Sequence, residues 1–407
     1  MSETDVSTLI AKPSPAEERF ISAFKTLGTD ASRLRSFEAF AKKGLPHRRI
    51  ENWRWSDLRA ALKTSGVQGN SIRDVFAEIA GPTFTFSAQG VKTPNAQPEG
   101  LNWSEELLET SFVASEDLPM AALTAALCEN SRVLRIEISA DQSLPVRLVI
   151  DANASDMFSR IELNVREGVK ATIVESHFNQ GGFSSTVIEY NVEKNASVER
   201  VIYQSANETA VQVVTTNVRL SGDSEFTQSA LAKGAKLCRL ETRVDHQVEG
   251  AKAVINAAYL LDDGRHVDVT SHVRHSAGHC ETAQVTKGAV KKGGKGAFQG
   301  KFYVARDAQK TDAAMAHNAL LLEDGAEVNA KPELEIYADD VQCAHGNTAG
   351  SLDEDALFYM RQRGIPLVTA KAMLTQSFIA EGLATISDDA LREILEEEAN
   401  QWLMTSL

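Results

Sequence analysis

Between Ser131 and Val304 the chain repeats one pattern: a short run with apolar side chains at alternate positions, then Gly, Asn or Asp, then another run. The runs are Val133–Ile138, Val146–Ile150, Ile161–Val165, Ala171–Glu175, Thr186–Val192, Val198–Tyr203, Val211–Leu220, Glu225–Leu231, Leu237–Val244, Ala253–Leu260, His266–Val273, Thr282–Thr286 and Phe298–Val304. They recur at roughly 10–14 residue intervals. A period of two predicts strands, and no helical period intervenes, which excludes alternating strand–helix architectures. Sandwich, barrel and β-solenoid all accommodate such a pattern. There are more runs than a compact sandwich uses, and lone glycines recur just before strands (Gly168, Gly234, Gly250). Both features favour stacked coils around a common core.

The pattern changes on either side. Phe20, Phe24 and Leu27, then Phe37 and Phe40, fall at helical spacing. Trp53 and Trp55, two residues apart, cannot share a helix face, so one packs inward and the other against a neighbouring element. From Thr64 to about Ser111 the Gly, Ser, Pro and Asn content predicts irregular linker, and a short helix follows over Asp117–Glu129 with Pro119 in its first turn. After the strands, Ser351 or Asp353 can cap a helix that Gly364 stops, and Pro366 suits the start of the next. There Ala370, Met373, Leu374 and Phe378 make an apolar face. A last helix from about Ser387 sets Leu391, Ile394, Leu395 and Trp402 against an acidic Glu396–Glu398 run. So small a helical unit must pack on the β core or on another protein. The expected division is 1–112, 113–350 and 351–407.

Composition narrows the function. A net charge of −14 argues against nucleic acid, which needs a basic face. No apolar run reaches the roughly 18 residues of a membrane span, and Met1–Ile10 lacks a signal pattern. Cys128, Cys238, Cys280 and Cys343 show no CxxC spacing, which fits free thiols in a reducing cytoplasm.

Three clusters could carry chemistry. His266, His272, His275, His279 and Cys280 are dense, but strand geometry sends His266, Asp268 and His272 to one face and Val267, Val269 and Val273 to the other, without the ligand spacing of a zinc site. Lys291, Lys292, Gly293, Gly294, Lys295 and Gly296 could cradle phosphate, yet no Ser or Thr follows as a P-loop requires, so the chain has no nucleotide site of its own. Cys343 and His345, two apart, point to one side of a strand and could share a metal or an iron–sulfur cluster. A buried small thiol and a hydrogen-bonded turn imidazole fit the same residues. An enzyme acting on polysaccharide would need paired carboxylates, and adjacent Asp339 and Asp340 point to opposite faces.

The stretch from Gln309 to Gly382 resembles the SufB/SufD family of iron–sulfur cluster assembly proteins. The resemblance rests on Gln309 to Thr311, Asn318 with Leu320–Leu322, Pro332 with Leu334 to Ile336, Ala338 to Val341, Cys343 with His345 and Gly346, Thr348, Leu357 to Tyr359, Arg361 with Arg363 to Ile365, and Phe378. Arg49, Glu51 and Trp53 resemble a motif near the start of these proteins. The turn Glu323–Ala326 lacks the cysteine of the SufB branch, and Gly346 stands where that branch has Glu, so the chain resembles the SufD branch. Asn347 departs from the family's small apolar residue, and a local turn adjustment is expected there. The resemblance implies a right-handed parallel β-helix flanked by N-terminal and C-terminal helical subdomains. It also implies a non-catalytic scaffold that shares a transient Fe–S cluster with a SufB-type scaffold. In it His345, with Cys343, would be the ligands at the SufB-facing interface. A SufC-type ABC ATPase would bind through the C-terminal helices, for which Phe358, Tyr359, Met373, Leu374 and Phe378 are the candidate contacts. Exposed solenoid edges would also allow the isolated chain to pair with itself.

Overall fold

The computed structural model describes residues 6, 9–28, 30–64, 69–107, 117–128, 132–153 and 155–405. Every expected run is a strand, most of them longer than the sequence pattern indicated. In chain order these are β1 (Thr83–Ser87), β2 (Gly90–Lys92), β3 (Leu101–Leu107), β4 (Arg132–Ile138), β5 (Val146–Ala152), β6 (Met157–Val165), β7 (Lys170–Asn179), β8 (Phe183–Val192), β9 (Ser197–Ala206) and β10 (Val211–Leu220). They continue as β11 (Glu225–Ala232), β12 (Leu237–His246), β13 (Lys252–Leu261), β14 (His266–His275), β15 (Glu281–Val290), β16 (Lys295–Val304), β17 (Asp312–Leu321), β18 (Glu327–Ile336) and β19 (Gln342–Gly350).

From β4 onward the chain alternates between two sheets. One runs β19-β17-β15-β13-β11-β9-β7-β5-β1-β2 and the other β18-β16-β14-β12-β10-β8-β6-β4-β3. The result is a β-solenoid of about eight coils, a β-dominated fold with helices at both ends of the chain. Equivalent positions stack about one coil apart, as Arg160 over Glu189 does at a separation of 29 residues. Alternation explains the packing. In β14, Val267, Val269 and Val273 enter the core between the sheets, while Asp268 and His272 face outward. The core is mostly aliphatic and aromatic, with polar side chains set into it in places. Thr216, Thr242, Ser271 and Gly300 stack in register as a column of small residues. Thr242 and Ser271 donate across the core to Gln228 (3.2 Å) and Gln284 (2.8 Å) of the other sheet.

The two ends of the solenoid differ. At one, β2 and β3 run antiparallel to their neighbours, and the Trp103 ring meets Phe84 edge-on at 5.3 Å. These strands lie in the stretch read from sequence as irregular linker, of which residues 65–68 and 108–111 fall outside the described set. The linker reading fails over 83–107 because the strands are separated by a turn-rich connection, residues 93–100 with Pro94, Asn95, Pro98 and Gly100, that masks them. At the other end, β18 and β19 are the outermost strands of their sheets. No strand stacks beyond them among the described residues, and their apolar side chains are only partly covered.

Helices coat the outside. The helices α1 (Pro15–Leu27), α2 (Ala31–Lys43), α3 (Leu58–Ala61) and α4 (Pro119–Leu127) belong to the N-terminal part. Ser14 and Glu17 form a capping box that starts α1. Phe20, Phe24, Phe37 and Phe40 pack with Phe183, Val211, Val213 and Leu237 on the outer face of the even-numbered sheet. After the solenoid come α5 (Glu354–Gln362), α6 (Leu367–Ala380) and α7 (Asp389–Thr405). Asp353 caps α5 by accepting from the amides of Asp355 and Ala356, and Gly364 stops it at φ +83°. Leu383, Leu391, Leu395 and Trp402 cover Val201, Tyr203, Leu231 and Leu260 on the odd-numbered sheet. Glu398 departs from the expected acidic outer face: it is buried, and Tyr203 Oη (2.9 Å), Arg73 (2.6 Å) and Lys233 (3.3 Å) donate to it.

Candidate functional site

Cys343, His345 and Asn347 lie on the core-facing side of β19, paired in register with Ala313, Met315 and His317 of β17. Those three partners are buried, each lying beneath another coil. The β19 residues hold the same column positions in the terminal coil. Cys343 is therefore only half-buried against the core, and His345 and Asn347 are exposed. The open end turns an interior face into an accessible one and aims a thiol and an imidazole the same way. This is the one thiol of four not fully buried.

The thiol and its neighbours differ electrostatically from the rest. Burial, and then Asp312, push the Cys343 thiol upward. A thiol raised in this way favours its protonated form, and a soft metal held there would have to displace that proton. Burial pushes Cys128 further, to about 11, and raises Cys238 and Cys280 as well. The turn leading into β19 is held by its neighbour one coil back. Lys310 N–H donates to the Asp340 carbonyl (2.6 Å), Asp340 N–H to Gln309 Oε1 (2.9 Å), and the Lys310 and Asp340 side chains form an ion pair. Asp339 and Asp340 belong to that turn, which gives the Gln309–Thr311 and Ala338–Val341 motifs a structural role.

Asn347 sits within β19, not in an adjusted turn. The expected turn does not form because Asn347 pairs with His317 through both the backbone register and its side chain. His317 is fully buried, and burial lowers it to about 4, so the ring is neutral.

The other candidates are dispersed. His275 is an interior residue stacked on His246 at 4.4 Å, whereas His272 faces outward on the same strand. His279 occupies a turn at φ +54°. No group of three or more metal-capable side chains comes together among the described residues. Residues 291–294 make the turn between β15 and β16 and Lys295 and Gly296 open β16, with the Lys291 ammonium 4.0 Å above the Trp402 ring. Trp53 is the buried tryptophan of its pair, under the Arg239 guanidinium at 4.2 Å. It edges a groove of about 770 Å³ along the outer face of the even-numbered sheet. Cations in and beside that groove pair with carboxylates, Lys331 with Glu51 and Arg243 with Glu241.

In the C-terminal helices Phe358 is 65% exposed, and Tyr359 is exposed beneath Arg363. Met373 is exposed, but Leu374 and Phe378 are half-buried, with Phe378 under the Lys287 ammonium at 4.5 Å. The buried side of α6 is Ala370, Ala372, Thr375 and Ile379, so the face read from sequence overlaps the packed one at Ala370 and partly at Phe378, and Met373 lies outside it. Sequence reasoning missed the ion pair inside the solenoid, where Arg200 grips Glu175 (2.6 and 2.7 Å) and Tyr190 Oη donates to it (2.6 Å). Burial alone would raise Glu175, but Arg200 and His177 hold it well below the usual carboxylate range. The visible signal was a charge at a core parity position, Arg200 between Val198 and Ile202.

Residues 148–378 match the family model described as the SufBD core domain of the SUF system for FeS cluster assembly. The iron–sulfur cluster assembly protein SufD of Escherichia coli is 28% identical over 91% of this chain and 92% of its own length. A SufBD family assembly protein of Synechocystis is 26% identical over 84% of each, and one of Mycobacterium tuberculosis is 24% identical over 86% and 87%. No described helix is long and apolar enough to cross a membrane. The stacked coils, the motif residues gathered at their open end and these likenesses lead to one conclusion: the chain belongs to the SufB/SufD family of iron–sulfur cluster assembly proteins, and is of the SufD type.

Proposed function

We propose that this protein is a non-catalytic scaffold subunit that pairs with a SufB-type scaffold and lends His345, with Cys343, as ligands to an Fe–S cluster assembled at the junction. The observation that supports this reading is the contrast between the solenoid's ends. One ends in the antiparallel strands β2 and β3, of which β2 is only three residues long. The other ends in β18 and β19, whose outer edges carry no further strand among the described residues, with a thiol and an imidazole in the last rung. Unpaired edges and half-covered apolar side chains are what strand addition between two chains uses. Two side chains are fewer than the about four ligands a cluster takes, so the partner supplies the rest. The cluster is cargo, built and passed on.

The exposed aromatic pair Phe358 and Tyr359, with Met373, suits a SufC-type ABC ATPase, and Leu374 and Phe378 support that surface from below. Closing of the ATPase on ATP would pull the α5–α6 unit, which follows β19 directly in the chain, and so open the junction. Nucleotide chemistry stays with that partner, and assembly takes place in the cytoplasm. The test is His345→Ala in the complex reconstituted with SufB- and SufC-type partners, ferrous iron and sulfide. Cluster content should fall at least several-fold with the complex intact, and wild-type content would remove His345 from the site.

A further inference from the structure

Asn347 is the third side chain on the exposed, core-facing side of β19, after Cys343 and His345. Alternate residues on one strand face lie about 6.6 Å apart, so its amide reaches toward whatever His345 holds. The amide is not free to turn. Its Oδ1 lies 2.6 Å from His317 Nδ1, which donates to it.

His317 is itself fixed on every side. Its Nε2 lies 2.8 Å from Tyr259 Oη, and its ring is parallel to Phe298 at 4.8 Å. Tyr259 in turn occupies a slot that exists only because residues 288 and 296 are glycine. A Cβ on Gly288 would fall 2.2 Å from the tyrosine ring, and one on Gly296 would fall 2.8 Å from it. With its oxygen committed inward, Asn347 must direct its two Nδ2 hydrogens away from the core, toward the open end. There they have no protein partner among the described residues. The strand does not need this arrangement for its register. Backbone pairing continues from Gln342 to Gly350, and on the opposite face Asn318 donates to Thr348 at 2.7 Å.

We propose that Asn347, oriented by His317 as a positioning residue, donates an N–H···S hydrogen bond to sulfide of the cluster held at Cys343 and His345. The proposal rests on the reading of those two residues as ligands. Hydrogen bonds to cluster sulfur raise the reduction potential, and partners of this kind tune how firmly a site holds its metal. An outward-facing amide therefore makes the cargo easier to reduce and slower to leave. A small apolar side chain at this position supplies neither effect.

The experiment uses the complex with SufB- and SufC-type partners, reconstituted with ferrous iron and sulfide. It follows three variants, His345→Ala, Asn347→Leu and His317→Phe, the last keeping a stacked ring but losing the anchor. Asn347→Leu should assemble the complex, shift the cluster's midpoint potential negative and speed its loss to a chelator several-fold. His317→Phe should shift both in the same direction by less. A purely structural role would change the melting temperature of the chain and leave the potential where it was. An unchanged potential in Asn347→Leu, with His345→Ala still depleting the cluster, would overturn this inference alone. Full cluster content in His345→Ala would overturn the ligand reading and this inference with it. Imidazole 15N shifts of His317 in the isolated chain supply an independent check. A proton on Nδ1 supports the orientation, and an Nε2–H tautomer would contradict it.

Discussion

At the scale of single residues, the interior of the solenoid combines charges and rings that burial alone would penalise. Glu175 and Arg200 are both fully buried. Removing one partner of such a pair strands the other, at a cost of roughly 3–5 kcal/mol. The histidine stack has a different consequence. Burial holds His246 at about 4, and burial together with the neighbouring His246 holds His275 at about 3. In an unfolded chain both titrate near ~6.5. Between those limits the unfolded state binds protons that the folded state refuses. Stability is therefore complete above ~6.5 and falls as the pH drops toward 4, by at most about 1.4 kcal/mol per histidine per pH unit. His275→Asn should flatten the fall in melting temperature between pH 7 and 4.5. An unaltered slope would mean that the stack is not held neutral.

At the scale of elements, α7 and α5 make opposite predictions. Leu391 is fully buried where α7 covers the odd-numbered sheet, so Leu391→Ala should cost about 2–5 kcal/mol in denaturant unfolding. Phe358 on α5 touches little of its own chain. Phe358→Ala should stay within about 0.5 kcal/mol of wild type, yet lose capture of a SufC-type ATPase in a pull-down. Full retention would take Phe358 out of the docking set. The helices also show where reading a sequence reaches its limit. The caps at Asp353 and Gly364 were legible because each has a local cause. The buried face of α6 was legible only at Ala370, because Ala372 and Thr375 are small and the apolar signal of Met373 and Phe378, which cover less, drew the face away from Ile379. Glu398 looked solvated because its partners Arg73, Tyr203 and Lys233 are far away in the chain. β1–β3 were hidden because the Pro, Asn and Gly of residues 93–100 between them outweighed their own short patterns.

For the whole molecule, alternation with period two was enough to find the strands of the central coils, and the excess of strands pointed to stacking. It could not order them, because register between coils is set by contacts about 29 residues apart. Nor could it distinguish an interior position from an end position. Cys343 and His345 have the parity of core residues, and only the absence of a further described coil makes them accessible. That placement carries the functional account, in which the stack of coils offers its last rung to another protein. Hydrogen–deuterium exchange of the chain alone and with a SufB-type partner tests it most directly. Amides of β18 and β19, Glu327–Ile336 and Gln342–Gly350, should gain protection on complex formation, while β2 and β3 stay as they were. Protection confined to β2 and β3, or to the helices, with β19 unaffected, would contradict it.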